Sequence, residues 1–433
     1  MTQIEQARAG VVTAEMTEIA SDEGYSAETI REHVAAGRIV IPGNSNRKPK
    51  VRGIGMGLRT KVNASIGTSS DIVDYAAEVR KARIAEETGA DTLMELSAGG
   101  DLDRVRREVI AATDLPVGNV PLYQAFCHAA RKYGDPNRLE PEELFDLIEQ
   151  QCDDGIAFMA VHCGINFVTL ERLQKQGYRY GGLVSKGGAS MVGWMLHNQR
   201  ENPLYEQFDR VCAILKKYDT VLSLGNGLRA GAIHDSSDRA QIQELLINCE
   251  LAELGREQGC QMLVEGPGHV PLEEIEGNIQ LQKRMSGDAP YYMLGPIPTD
   301  IAPGFDHISS AIGAAQSARF GADLICYITP AEHLALPNEE DVRAGVKAAR
   351  LAAHIGDLSK YPQKRERDKA MAKVRRDVDW KTQFDLALFP TDARAIRSER
   401  TPEDEGTCTM CGDFCASRRS SELFAKDLNA EKR

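Results

Sequence analysis

The sequence predicts an α/β protein: a (β/α)8, TIM-like barrel with a short N-terminal segment before it and a helical C-terminal arm after it. Three observations predict this. From about residue 90, eight short β-rich runs, each ending in Gly, Ser, Pro or His, are each followed by an amphipathic segment of ten to twenty residues. These runs are nearly continuously apolar, as parallel strands covered on both faces are, and no Gly-x-Gly-x-x-Gly follows the first of them to favour an open doubly wound sheet. Three of the ten cysteines, Cys408, Cys411 and Cys415, crowd together beyond the last repeat.

In chain order, residues 1–70 form the N-terminal segment. It holds two short helical patterns, Thr2–Ala9 and Ser26–Ala36, the basic stretch Arg47-Lys48-Pro49-Lys50, and a Gly/Ser/Asn-rich stretch, Gly53–Ser70, expected to be a loop capping the barrel mouth. The barrel is expected over residues 71–355. Its predicted strands are Thr92–Ser97, Val117–Val120, Phe158–Gly164, Gly182–Ser185, Val221–Gly225, Gln261–Glu265, Tyr291–Gly295 and Asp323–Thr329. Helical patterns between them include Arg104–Thr113, Pro141–Asp153, Thr169–Gln176, Pro203–Tyr218, Arg239–Gln258, Leu272–Met285 and Ile308–Phe320. After the last strand, Asn338–Leu358 and the heavily charged Tyr361–Phe389 read as helices. With a hinge near Gly406 they make residues 356–433 a movable arm that delivers the cysteines to a site.

A formal charge of −12 argues against nucleic acid as a partner. No apolar run reaches eighteen residues, and Met1–Arg8 holds no hydrophobic signal region, so neither a membrane partner nor export is expected and the chain is read as cytoplasmic. The other seven cysteines are scattered singly among apolar neighbours, as buried hydrophobes are, and do not resemble a disulfide framework.

Cys408, Cys411 and Cys415 are separated by two and three residues. An electron-transfer [4Fe–4S] cluster takes four thiolates, so three leave one iron open, where S-adenosylmethionine (SAM) can chelate. Half of a zinc site and three unrelated thiols are the competing readings. A local zinc site would want a nearby His, and none lies beyond His354.

In a barrel of this kind the strand C-termini form the active face, so polar residues at those ends are the functional candidates. They include Glu95 and Ser97, Asn119, His162, Ser185-Lys186-Gly187-Gly188, Asn226-Gly227-Leu228-Arg229, Glu265-Gly266-Pro267-Gly268-His269, Pro296 to Asp300, and Thr329 to His333. The glycines and proline after Glu265 fix a tight loop that aims Glu265 and His269 at the mouth, unless this is merely a Gly-rich turn with an incidental His. His269 and His333 together can hold a divalent metal with positions left open. His33, His128, His197, His234, His307 and His354 are read as structural. The Ser185 and Asn226 strings each set a cation beside flexible backbone that can donate N–H groups, which suits a phosphate and a ribose. With Tyr123 and His162 they point to a phosphorylated, ring-bearing small molecule.

Five strings carry a resemblance: Val62-Asn63-Ala64-Ser65-Ile66-Gly67-Thr68-Ser69, Trp194-Met195-Leu196-His197-Asn198, Glu265-Gly266-Pro267-Gly268-His269-Val270-Pro271, Thr299-Asp300-Ile301-Ala302-Pro303-Gly304 and Cys408-Thr409-Met410-Cys411-Gly412. They strongly resemble the phosphomethylpyrimidine synthase family, and the resemblance runs essentially end to end. It implies a non-standard radical SAM lyase whose (β/α)8 barrel holds 5-aminoimidazole ribotide and whose [4Fe–4S] cluster rides on a C-terminal arm. It also implies a homodimer with the arm serving the partner's barrel, and an electron donor such as a ferredoxin or flavodoxin. Carried over by position, the ribotide ligands would be Asn63, Met94, Tyr123, His162, Ser185, Lys186, Gly187, Asn226, Gly227, Leu228, Arg229, Glu265 and Tyr292. His269 and His333 would bind zinc or iron, Cys408, Cys411 and Cys415 the cluster, and Glu265 could relay protons.

Three strings depart from the thiamin-pathway pattern. Met94-Glu95-Leu96-Ser97-Ala98-Gly99 stands where those members read Met-Asp-Leu-Ser-Thr-Gly, Asn226 where they carry Asp, and Lys186 where they commonly carry Arg. An amide in place of a carboxylate donates as well as accepts, and Lys replaces a bidentate phosphate clamp by a point charge. Changed strings on an unchanged scaffold are most like the 5-hydroxybenzimidazole synthase branch, which starts from the same ribotide and makes the lower-ligand precursor of cobalamin in anaerobes. The alternative is the thiamin activity, forming 4-amino-5-hydroxymethyl-2-methylpyrimidine phosphate. A reading from another class is a catalytically silent ribotide-binding barrel whose tail senses iron or zinc.

Overall fold

The structure, a computed structural model, describes residues 1–402, 406–420 and 423. It divides into two compact units, Met1–Lys360 and Tyr361–Arg433.

The first unit opens with three helices, Gln3–Arg8, Ala14–Glu23 and Ala27–Ala35. Thr2, Thr13 and Ser26 cap them by accepting backbone N–H groups of the first turn. The middle helix was not expected from the sequence, although Thr13 is a cap signal and Met16, Ile19 and Ala20 recur at helical spacing. These residues pack with Ile30, Val34, Ile39 and Leu58 in a satellite core. Strands β1 (Ile39–Val40) and β2 (Ile54–Gly55) then form a small antiparallel ribbon.

The barrel proper consists of β3 (Lys61–Ile66), β4 (Thr92–Glu95), β5 (Val117–Asn119), β6 (Phe158–Val161), β7 (Val221–Leu224), β8 (Met262–Glu265), β9 (Tyr291–Met293) and β10 (Leu324–Cys326). Neighbouring strands pair in parallel, and β10 pairs with β3 to close the ring. Two expectations are corrected here. The stretch Gly53–Ser70, expected to be a capping loop, contains β3. Gly182–Ser185 is no barrel strand: Leu183 makes one isolated bridge to Ala230, and Ser185 already caps the next helix. The confusion is physical, because β3 alternates Val62, Ala64 and Ile66 with Asn63 and Ser65 and so lacks the continuous apolar run of its neighbours.

Helix Glu339–Lys360 was expected to lead into the arm. It buries Val342, Val346, Ala349, Ala352 and Ala353, and packs against helices Tyr75–Thr88 and Asp306–Phe320 as the last helix of the barrel. Near its end Asp357 accepts the Thr60 N–H at 2.9 Å and the Thr60 hydroxyl at 2.8 Å, tying that helix to the entry of β3.

In the second unit, the span Tyr361–Phe389 breaks into a turn at Pro362–Arg365 and helices Glu366–Arg376 and Trp380–Leu386, followed by helix Pro390–Glu399. The Arg397 guanidinium lies 3.7 Å over the Trp380 ring centre. Part of the predicted arm, residues 403–405, 421, 422 and 424–433, lies outside the described residues. Among the described residues no helix is long and apolar enough to cross a membrane.

The N-terminal end of the barrel is held by buried charge. Asp91, just before β4, is 2 % exposed, accepts the Val62 N–H at 3.0 Å, and is bridged in fork geometry by Arg59. Burial alone would raise its pKa, but the Arg59 guanidinium outweighs it and holds the carboxyl at about 2, below its ordinary 3.8. A carboxylate depressed in the folded state stabilises fully above the unfolded value and is lost as pH falls through the folded one. The Asp91 contribution therefore disappears as pH drops from about 4 to about 2. Asp91→Asn leaves Arg59 only its longer ion pair with Glu23 at 3.6 Å and is expected to cost about 3 kcal/mol, read as a lowered melting temperature at pH 7 whose deficit shrinks on acidification. An unchanged melting temperature would show that the pair contributes nothing.

Candidate active site

The loops at the C-terminal ends of the strands enclose a cavity of about 500 Å³, lined among others by Met94, Tyr123, His162, Arg229, Glu265, His269, Tyr292, Glu332 and His333. The structure thus brings together residues from seven strand ends. Asn63 lies under this lining: it is fully buried, donates to the Tyr292 hydroxyl at 2.8 Å, and accepts from the Thr92 hydroxyl at 2.8 Å. The Tyr292 hydroxyl stands 3.8 Å from the Met94 sulfur.

His162, at the end of β6, is buried, and its Nε2 stands 3.1 Å from the Ser185 hydroxyl. Burial, reinforced by the Arg229 charge, pushes its pKa down to about 3, so the ring is neutral at physiological pH. Its Nδ1 is buried with no partner. Ser185 caps helix Lys186–Asn198 by accepting the Gly188 N–H. Lys186 follows, 4.6 Å over the Tyr123 ring centre, its ammonium pKa lowered by burial. Side chains at 187 and 188 are sterically barred. A Cβ on Gly187 would meet the His162 ring at 2.4 Å, and one on Gly188 would meet the Gly227 carbonyl oxygen at 2.1 Å. That close approach welds the Ser185 string to the Asn226 string.

The Asn226 string differs from expectation in one respect. Its backbone N–H groups do not all stand free for a phosphate. Gly227 and Leu228 donate to the two carboxylate oxygens of Glu244 at 2.8 and 2.7 Å, and the Asn226 N–H is 3.3 Å from Glu265 Oε2. What the string has left for a ligand is the Arg229 side chain, which lines the cavity, and Asn226 Oδ1, buried without a partner. Leu228 and Gly227 support the site through their backbone.

Glu265 ends β8. Its Oε1 accepts from the Ser223 hydroxyl at 2.9 Å, and burial raises its pKa against the opposing pull of these hydrogen bonds and of Arg229. A carboxyl raised by burial in a pocket of this kind is a candidate for proton transfer.

His269 and His333 do meet: their ring centres are 5.3 Å apart. His269 Nδ1 is 2.8 Å from Asp300 Oδ1, and His333 Nδ1 is 3.6 Å from Asp306 Oδ2. The carboxylate bonded to His269 is the arrangement that orients a metal-binding histidine and leaves the far nitrogen for the ion, whereas Asp306 faces His333 beyond hydrogen-bond distance. His333 adopts φ 61°, a left-handed backbone that costs a non-glycine residue of the order of 1 kcal/mol. Among the described residues no three His, Cys, Asp or Glu side chains converge as a metal cage, so the protein would supply two ligands here.

Cys408, Cys411 and Cys415 stand on one tight turn, where Gly412 N–H donates to the Cys408 carbonyl and Cys415 N–H to that of Gly412. All three are free thiols. Backbone N–H groups of Cys411 and Met410 lower the Cys408 pKa, favouring the thiolate that binds iron. The donor set therefore fits a three-thiolate cluster, although the sulfurs are not already gathered.

Residues that the sequence did not single out as functional include Ser223, Glu244, Asp306 and Cys326, while Glu332 lay inside the candidate stretch Thr329 to His333 without a role of its own. Glu332 lines the cavity beside His333, with its carboxyl raised by burial. Cys326 lines it with its sulfur 3.5 Å from the Ser65 hydroxyl. Asp300 lay within a quoted string, but its pairing with His269 is visible only in space.

The Radical SAM ThiC family matches residues 2–422. Among curated proteins, the chain is 79% identical to a 5-hydroxybenzimidazole synthase of Geobacter sulfurreducens, over 100% of this chain and 99% of the relative. It is 74% identical to the protein of that name from Desulfuromonas acetoxidans, over 100% and 99%. It is 58% identical to phosphomethylpyrimidine synthase 1 of Methanosarcina barkeri, over 96% and 97%. With a match spanning nearly every residue and relatives this similar along their whole length, the chain belongs to the Radical SAM ThiC family.

Proposed function

We propose that this protein is a radical SAM lyase that rearranges 5-aminoimidazole ribotide into 5-hydroxybenzimidazole. The observation that carries the product is the full-length similarity to relatives bearing that synthase name, which exceeds the similarity to those named for the pyrimidine product. The departures at Glu95, Lys186 and Asn226 support the same choice.

Bound at Cys408, Cys411 and Cys415, a [4Fe–4S] cluster with SAM would supply one-electron cleavage chemistry and the radical that takes a hydrogen from the ribose. The chain's own residues do the rest. Arg229, Lys186 and the Ser185 cap anchor the phosphate, with the positive end of helix Lys186–Asn198 behind them. Neutral His162 and the amide of Asn226 each keep a buried atom free for the ligand. Tyr292, fixed by Asn63, and Glu265, fixed by Ser223, orient the sugar or the aminoimidazole, and Glu265 carries a proton during loss of phosphate or water. His269, oriented by Asp300, and His333, facing Asp306, would hold a divalent ion, zinc or iron, that positions polar groups of SAM or substrate. The reading extends to a homodimer in the reducing cytoplasm, with the cysteine arm serving a barrel mouth and a ferredoxin or flavodoxin as donor. Its support there is the family resemblance.

Anaerobic incubation of the reconstituted protein with the ribotide, SAM and a reductant, followed by mass analysis, is expected to yield 5-hydroxybenzimidazole. A hydroxymethylpyrimidine phosphate would overturn the product assignment in favour of thiamin synthesis, and metal binding without SAM cleavage would favour a sensor. Cys411→Ala is expected to abolish SAM cleavage while ribotide binding, measured by calorimetry, persists; loss of both would contradict separate roles for arm and barrel. Asp300→Asn is expected to weaken metal retention about 10- to 100-fold, measured by competition with a chelator. An unchanged metal affinity would remove His269 from the metal site.

A further inference from the structure

Helix Arg239–Glu257 turns one face, Gln241, Glu244 and Asn248, toward the loop that follows β7. This is the i, i+3, i+7 spacing of a single helix face. All three residues are polar and almost fully buried. Each holds a backbone group of the same short segment. Gln241 Oε1 accepts the Ala230 N–H at 3.1 Å, and Asn248 Nδ2 donates to the Gly225 carbonyl at 3.1 Å. Between them, Glu244 takes both N–H groups of Gly227 and Leu228. From the opposite direction, Arg179 donates to the Leu228 carbonyl at 2.8 Å and is itself paired with Asp238. Residues 225–230, the first part of the segment between β7 and this helix, are thus held at most of their peptides, with the Arg229 side chain lining the cavity and Asn226 beside Glu265.

We propose that Glu244 is a positioning residue for the phosphorylated ligand: by accepting both amides, its carboxylate fixes where Asn226 and Arg229 meet the ribotide. The inference rests on the reading of the cavity as a ribotide site. Only an ionised carboxylate can accept two N–H groups on separate oxygens without a competing donor; a protonated acid, or the amide of Gln, turns one of the two atoms into a donor facing a donor. A buried donor left in that state costs the full desolvation of the group, so the loop must shift or rotate a peptide.

The charged groups that face Glu244 are Arg229 on the loop itself and Arg179 across it; both favour the carboxylate, and Asp238 is already taken by Arg179. Burial outweighs them and lifts the Glu244 pKa to about 7. The two-amide clamp is therefore complete above about pH 7 and weakens as pH falls through that value.

The test is calorimetric binding of aminoimidazole ribotide to the full-length protein without SAM or reductant, from pH 6 to 8.5, for wild type and Glu244→Gln, with melting temperatures as the folding control. Glu244→Gln is expected to bind about ten- to a hundredfold more weakly at pH 8, the scale of one hydrogen bond to a charged acceptor. The gap should close toward pH 6, where wild type becomes its equivalent. Ionisation of the phosphate is common to both proteins, so the difference between the profiles carries the result. A folded Glu244→Gln protein that binds like wild type at pH 8, or a gap constant with pH, overturns the proposal. If Glu244→Gln does not fold, Glu244→Asp decides: a shorter carboxylate must weaken binding yet keep the inflection, and unchanged binding overturns the idea. Absence of ribotide binding by wild type at every pH would instead overturn the substrate assignment.

Discussion

Closure of the ring between β10 and β3 is the constraint on which the site depends. Eight parallel strands gather their C-termini round a single mouth only if the last strand returns to the first, and here that seam is short, pairing Leu324–Cys326 with Lys61–Asn63. Asp323 braces it: its carbonyl accepts the Lys61 N–H at 2.9 Å, and its carboxylate accepts the Tyr291 N–H at 2.9 Å and the Lys283 ammonium. Thr60 and Asp357 fasten the final helix to the same corner. With the seam open, Asn63 and Tyr292 would not meet, and the cavity would lose one wall.

Four strand-flanking carboxylates, two at each end of the barrel, differ in how they are held. Asp91 and Asp323 precede strands at the N-terminal end. Each accepts a backbone N–H and each is paired with a cation, Arg59 and Lys283 respectively. Glu95 and Glu265 end strands β4 and β8 at the other side. They also accept backbone N–H groups, at Ser97 and Asn226, yet neither has a paired cation, and burial raises both. Strand β4 carries one of each kind, Asp91 just before its start and Glu95 at its end. Of these four acids, the two before strands are paired with cations, whereas the two at strand ends lie on the face where a barrel of this kind carries its chemistry and are raised by burial.

Much of this was legible in the sequence, and the misses have physical causes. Continuous apolar runs announced seven of the eight strands, and polar residues at their ends announced the cavity. Strand β3 escaped because Asn63 and Ser65 interrupt its apolar side chains, and the glycines of Gly181-Gly182-Leu183 imitated a strand entry. Gln241, Glu244 and Asn248 lie in a segment that the sequence marks only as a helical pattern, Arg239–Gln258. Only the fold turns their shared face onto a loop whose amides have no other acceptor. Asp306 was hidden beside His307: the sequence hesitated over the histidine, while the structure brings the neighbouring aspartate to His333. The cysteine triplet was readable because its spacing is local, whereas the break of the long charged segment at Val378, which takes φ 54°, was not.

The immobilised segment also bears on how a scaffold shared across a family can favour one product. A mobile loop can absorb a change of side chain by shifting its backbone. Here the amides of Asn226, Gly227, Leu228 and Ala230 are held by Glu265, Glu244 and Gln241, and the Leu228 carbonyl by Arg179. An amide at position 226, which the sequence reading takes as a departure from the thiamin-pathway pattern, therefore cannot be accommodated by moving the loop. Its amide donor points to the Glu265 carbonyl at 3.4 Å, so the loss of charge and the added donor act beside Glu265, whose side chain lines the cavity. The exchange of Arg for Lys at 186 sits at the end of a helix pinned to the same segment through Gly188 and Gly227. Rigidity in the support turns small side-chain differences into differences in how a bound ribotide is posed, and in radical chemistry the pose selects which bond reacts.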